Sequence, residues 1–378
     1  MSTWPGKYII GLTGNIATGK SVVRKMLEHQ GAYGIDADAL GHRAIAKDAP
    51  GYQSVIGEFG RWILGPDEQV DRSKLSRIVF ADPAALKRLE AIVHPLVRQA
   101  VDVLVRRASQ PVVVIEAIKL LESPLRQTCD SLWVTFSPTS VQLTRLMQKR
   151  GMTEEAARQR ILAQPPQEEK VAAANVVIRN DGSFEDIWRQ VQAAWLAQFP
   201  SVLETAPTKP IQAPTGQMVA EKGRPKQAAE IAAFITRVTD GRRNLTAEDI
   251  MAAFGEKAYM LLRRDGQLVG LVGWQVENLV ARTDEVCLDY NIPVKDAMRL
   301  LLQEVEKASR DLQCEASLLF LPFNLARQEE IWREISYELR TVQSLGVRAW
   351  QEAAQETPHS NELMLFKQLR KDRVLRPV

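Results

Sequence analysis

Cysteine is nearly absent from this chain: Cys129, Cys287 and Cys314 are the three in 378 residues, far apart and odd in number. That excludes a disulfide-framed fold and a cysteine-based zinc site, and it fits a reducing compartment. Histidine is almost as scarce, with His29, His42, His94 and His359 too scattered to compose a metal cluster. Neither sign of charge dominates, because 49 Lys and Arg stand against 46 Asp and Glu. A formal net charge of +3 gives no reason to expect nucleic acid or an anionic membrane as partner. Also missing is an apolar run of membrane-spanning length, and the opening Met1-Ser2-Thr3-Trp4-Pro5-Gly6-Lys7 lacks the charged and apolar stretches of a signal peptide. The expectation is a cytoplasmic protein.

What remains is a globular composition, 45% hydrophobic and 25% charged, in a chain long for one core. Two domains are therefore expected. Between residues 200 and 226 the periodic patterns lapse, and Pro200, Pro207, Pro210, Pro214 and Pro225 sit among Thr, Ala, Gly and Gln. This reads as a linker separating a domain at 1–199 from one at 227–378. In the first, short β-branched runs (Tyr8–Thr13, Gly34–Asp36, Val112–Ile115, Leu132–Phe136, Val176–Ile178) alternate with helical patterns. Such alternation predicts a parallel sheet covered by helices. In the second, Ala258–Arg264 and Gln267–Trp274 flank the turn Asp265-Gly266 as a β-hairpin. A helix over Val294–Arg310, a strand over Ala316–Leu321 and a helix over Ala326–Glu338 follow, so this is a smaller α/β unit.

Chemistry is most explicit at Gly14-Asn15-Ile16-Ala17-Thr18-Gly19-Lys20-Ser21, which lies between the first strand pattern and the helical Val22–Leu27. Glycines at its first and sixth positions let backbone N–H groups turn inward around a phosphate, at the positive end of the following helix. Lys20 adds a cation for the β- and γ-phosphates, and the Ser21 hydroxyl is placed to ligate Mg²⁺. ATP with Mg²⁺ is the implied ligand. Further on, Asp36 and Asp38 stand at i and i+2 and would share a face if the strand continued that far. A carboxylate at a strand end could accept the proton of an attacking hydroxyl. Alternatively, Asp38 caps the helix beginning at Ala39. Val70–Phe80 reads as a capped helix start, and Pro95, after His94, as the first residue of a restarted helix. Thr153 reads as the N-cap of a helix over Glu154–Gln164, an Arg-bearing segment suited to a lid.

Taken in order, Gly11-Leu12-Thr13-Gly14 through Ser21, Ile35-Asp36-Ala37-Asp38, Val70-Asp71-Arg72, Leu89-Glu90 with His94-Pro95, Arg145-Leu146-Met147, Gln164, and Ala174–Ile178 with Asn180 resemble the dephospho-CoA kinase family across about residues 7–198. The resemblance implies a P-loop kinase fold with helical lid and substrate regions. It also implies ATP-dependent phosphorylation of the ribose 3′-hydroxyl of dephospho-coenzyme A, the last step of coenzyme A synthesis. By the same resemblance Asp38 is the catalytic aspartate, Arg145 lies near nucleotide and lid, and Lys20 with Arg145 stabilises the transferring phosphoryl group. Within the loop, Asn15, Ala17 and Thr18 replace the family's usual Gly, Gly and Ser. The alternatives are another P-loop small-molecule or nucleotide kinase, or a nucleotide-sensing regulatory protein. The C-terminal domain resembles the GCN5-related acetyltransferase fold without its glycine-bearing pyrophosphate loop, and no ligand or partner is assigned to it.

Overall fold

The computed structural model describes residues 3–200, 216–356, 362–372 and 374. Five strands, β1 (Tyr8–Thr13), β2 (Tyr33–Asp36), β3 (Val112–Glu116), β4 (Ser131–Phe136) and β5 (Val176–Arg179), pair in parallel in the order β2-β3-β1-β4-β5. The runs are mostly apolar because this sheet is covered on both faces; Val112 to Glu116 is buried at every position.

Among the described residues eight α-helices lie between these strands, α1 (Lys20–His29), α2 (Ala37–Ala44), α3 (Tyr52–Phe59), α4 (Arg72–Ala81), α5 (Pro83–Arg107), α6 (Thr139–Arg150), α7 (Glu154–Leu162) and α8 (Gln167–Ala173), and α9 (Phe184–Gln198) follows β5. On one face, Val23, Met26 and Leu27 of α1 pack with Ile187, Val191 and Trp195 of α9. On the other, Leu40 of α2 packs with Val97, Val101 and Leu104 of α5. Each strand run expected in this domain forms, Thr153 caps α7 as expected, and the capped start expected in Val70–Phe80 is α4 with Asp71 as its cap. One expectation fails, since α5 passes through Pro95 without a restart. Proline removes one backbone N–H, but Val97, Ala100, Val101 and Leu104 beyond it are buried against the sheet and keep the helix in line.

A second sheet holds β6 (Met218–Lys222), β7 (Ala258–Arg264), β8 (Gln267–Glu277), β9 (Val280–Leu288), β10 (Ala316–Pro322), β11 (Glu338–Leu339) and β12 (Glu362–Gln368), in the order β11-β12-β10-β9-β8-β7-β6. Its helices are α10 (Ala228–Val238), α11 (Ala247–Ala253), α12 (Val294–Asp311), α13 (Phe323–Ala326), α14 (Glu329–Glu334) and α15 (Arg348–Gln355). The pairs are antiparallel except β9 with β10, which α12 joins as a crossover. The predicted hairpin is β7–β8, turning through Asp265 and Gly266 at positive φ.

Two boundaries move. Met218–Lys222, expected inside the linker, pairs with β7 and belongs to the second sheet; Pro207, Pro210 and Pro214 lie outside the described residues. The helix expected over Ala326–Glu338 is instead α13, α14 and β11. Gln328 leaves the helical conformation and Ser336 turns left-handed, bringing Trp332 and Tyr337 into the core beneath α12.

Candidate active site

The loop from Gly14 to Gly19 follows β1, and Lys20 and Ser21 open α1. Gly19 takes φ +88°, and a Cβ there would collide with the Asn180 amide; one at Gly14 would collide with the Thr135 hydroxyl. Both glycines are thus demanded by close approach as well as by conformation. Ala17 also sits left-handed, at φ +59°, which costs an L-residue roughly 1–2 kcal/mol. Its carbonyl accepts from Arg145 Nη1 at 3.1 Å, and Arg145 Nη2 reaches the Asn180 side-chain oxygen at 2.7 Å. Asn180 Nδ2 in turn donates to the Thr18 carbonyl at 2.9 Å. Arg145 therefore braces the loop's outer wall, and burial lowers its pKa from the usual value.

Segments following α7 reach the same loop. Gln164 accepts the Ile16 N–H at 2.7 Å, and Asn15 Nδ2 donates to the Pro165 carbonyl at 2.9 Å. The Lys20 ammonium is buried and donates to the Asn15 carbonyl at 3.2 Å. Burial lowers its pKa, against the opposing pull of Glu116, Asp38 and Asp36.

The two aspartates divide their roles. The strand ends at Asp36, whose Oδ1 accepts the Ala39 N–H at 2.8 Å, so Asp36 is the cap of α2. Asp38 lies inside the first helical turn, so the expected common strand face does not exist. Its Oδ2 accepts the Ile118 N–H at 3.0 Å, and burial raises its pKa while Lys20 and Lys170 pull it down. The Ile118 carbonyl accepts from Lys170 Nζ at 2.8 Å. Asp38, Lys20 and Lys170 thus form one electrostatic group around Ile118 and the loop.

Sequence reasoning missed Glu116 and Lys170. Glu116 ends β3, accepts the Ser21 hydroxyl at 2.9 Å and pairs with Arg24 Nε at 2.7 Å. Its signal was present as an acid closing the Val112–Ile115 run. Lys170 had none, being one charge in the polar Gln167–Lys170 stretch until α8 turns it inward, where it is 2% exposed. Mg²⁺ fits this donor set: an exposed hydroxyl beside a carboxylate, at the lip of a loop shaped for phosphates. Among the described residues no group of three His, Cys, Asp or Glu side chains is placed to hold a metal, so phosphate oxygens and water would complete the shell.

Asp36 carries a testable stability cost. Burial, reinforced by Glu116, pushes its pKa up to about 6. A carboxyl raised above its unfolded value loses stability as pH climbs through the folded value, and the loss vanishes below about pH 4. Asp36→Asn keeps an oxygen for the Ala39 N–H. It is expected to stabilise the fold on the order of 1–3 kcal/mol at pH 8 and negligibly at pH 4, as denaturant unfolding at the two pH values would show.

The sequence model of the family described as dephospho-CoA kinase matches residues 8–186. A dephospho-CoA kinase of Geobacter sulfurreducens is 42% identical over 195 residues, which are 51% of this chain and 99% of the relative. The chain belongs to the dephospho-CoA kinase family. A solved structure, TT1252 from Thermus thermophilus, is 35% identical, covers 51% of this chain and 97% of its own, and superposes with a TM-score of 0.47. A GNAT-family acetyltransferase from Streptococcus pneumoniae is matched at 15% identity, over 40% of this chain and 99% of its own, with a TM-score of 0.32. Family membership thus rests on the first half of the chain, the half that holds the loop, Asp38, Arg145 and Lys170. No helix among the described residues is long and apolar enough to cross a membrane.

Proposed function

We propose that this protein transfers the γ-phosphoryl group of ATP to the ribose 3′-hydroxyl of dephospho-coenzyme A, giving coenzyme A and ADP, in the cytoplasm. The observation that carries the reading is the grouping of Asp38 with Lys20 beside a phosphate-shaped loop, in a chain of this family. Gly14 to Ser21 hold the triphosphate through inward N–H groups, and Lys20 stabilises the charge that develops on the transferring group. Bound Mg²⁺, held at Ser21 with Glu116 behind it, would neutralise charge on the β- and γ-oxygens. Asp38 orients the acceptor hydroxyl and takes its proton as the oxygen attacks phosphorus. Arg145 and Asn180 keep the loop in shape, and Arg145 adds positive charge at its edge.

Purified protein with Mg·ATP is expected to release ADP, by a coupled assay, in proportion to dephospho-coenzyme A consumed. Normal ATP binding with no consumption of that acceptor would overturn the reading in favour of a nucleotide-sensing role. Turnover on a different acceptor would identify another small-molecule kinase.

A further inference from the structure

The two helices that bring their N-termini to the site, α1 with Lys20 and Ser21 and α2 with Asp38, have their C-terminal ends held by the C-terminal domain. From the last turn of α2, Arg43 donates through Nη1 to the Asn278 carbonyl at 2.7 Å and through Nη2 to Glu315 Oε1 at 2.7 Å. The side chains of this ion pair are 9% and 1% exposed. At the end of α1, the His29 ring is hydrogen-bonded to the Phe254 carbonyl at 2.9 Å and meets the Phe254 ring edge-on.

The tip of the β8–β9 hairpin makes the contact beside α2. Asn278 and Leu279 are its two turn residues, both left-handed, at φ +50° and +61°. Such a turn favours glycine at its second position, and leucine there is strained. The leucine side chain packs against the core cluster of the kinase domain that includes Leu40 of α2. The Leu279 carbonyl meanwhile accepts the Glu315 N–H at 2.7 Å, so hairpin tip and ion pair form one unit.

Helix α2 needs such support. It has only eight residues, and so short a helix has little stability of its own. Asp36 ties its first turn. Arg43 anchors its last turn. The family model matches residues 8–186, so Asn278, Leu279 and Glu315 lie outside the matched part.

We infer that the C-terminal domain is a backrest for the phosphoryl-transfer site, and that Arg43, with Leu279 and Glu315, is a positioning residue that fixes the helix carrying Asp38. The inference rests on the proposed transfer to dephospho-coenzyme A. With α2 free to tilt, the carboxylate would lose its aim at the acceptor hydroxyl while the ATP loop stayed intact, and a displacement of this kind lowers turnover rather than nucleotide affinity.

The test uses the full chain carrying Arg43→Met, Arg43→Lys, Leu279→Gly and, as a contact between the domains away from α2, Arg107→Ala, which breaks the 2.8 Å pair with Asp372. Leu279→Gly relieves the turn while deleting the docking side chain, so it separates loss of positioning from loss of the hairpin. Expected are a roughly tenfold lower kcat for Arg43→Met and Leu279→Gly with KM for ATP within about twofold, partial recovery in Arg43→Lys, and unchanged kinetics in Arg107→Ala. Amide hydrogen exchange in α2 should quicken in the first two variants alone. Unchanged kcat in both, with an active wild type, would overturn the inference. An inactive wild type would overturn the proposed reaction instead, and exchange in α2 would then decide whether the backrest holds: unchanged exchange sinks it and faster exchange supports it.

Discussion

Asp38→Asn should lower kcat by about 10²–10⁴-fold while leaving the affinity for ATP within a few-fold of wild type. The amide keeps an oxygen for the Ile118 N–H, so the first turn of α2 keeps its anchor and the change falls on the proton alone. Rapid-quench turnover and a fluorescence titration of ATP would separate the two quantities. Because burial raises the Asp38 pKa above that of a free carboxyl, wild-type kcat should fall on the acid side at a higher pH than an exposed aspartate would give, and the variant should lose that limb. Near-normal turnover in Asp38→Asn would remove this residue from proton transfer.

Lys20→Ala is expected to cost on the order of 10²–10³ in kcat, the scale seen when one preorganised donor to transition-state charge is deleted. Here KM for ATP should rise as well, because the ammonium meets phosphate in the bound state as well as during transfer. That joint change distinguishes it from Asp38→Asn, where binding is spared. The buried ammonium is surrounded by Glu116, Asp38 and Asp36, so its removal also leaves three carboxylates less compensated. The variant should therefore unfold at a lower temperature at pH 8 than at pH 6. Single-turnover phosphoryl transfer at saturating ATP isolates the chemical loss from the binding loss.

Local signals carried much of the kinase half. A strand followed by two spaced glycines, a lysine and a serine specifies a phosphate loop because few other arrangements need those residue types in that order. Strands buried on both faces announce themselves as unbroken apolar runs, and helix starts as Asp71 and Thr153. The Asp36 and Asp38 pair shows where that reading stops. By sequence Asp38 could be a site carboxylate or the cap of the helix, and only the point at which β2 gives way to helix put Asp36 at the cap and Asp38 inside the first turn. The C-terminal half was less legible. Its edge strands β6 and β11 are short or polar, and an edge strand satisfies one side of its backbone with solvent, so it needs no strong pattern.

By itself the sequence determined a glycine-bearing loop between strand and helix, a parallel sheet behind it and, through an ordered set of motifs, the family. Those are properties of neighbouring residues, set by backbone conformation and apolar periodicity. Tertiary structure decided what distant residues do together: Glu116 behind Ser21, Lys170 beside Asp38, Arg145 on the outer wall of the loop, and Arg43 paired with Glu315 across 272 positions. Burial and charge compensation are three-dimensional quantities, and no local pattern encodes which carboxylate a buried arginine will meet.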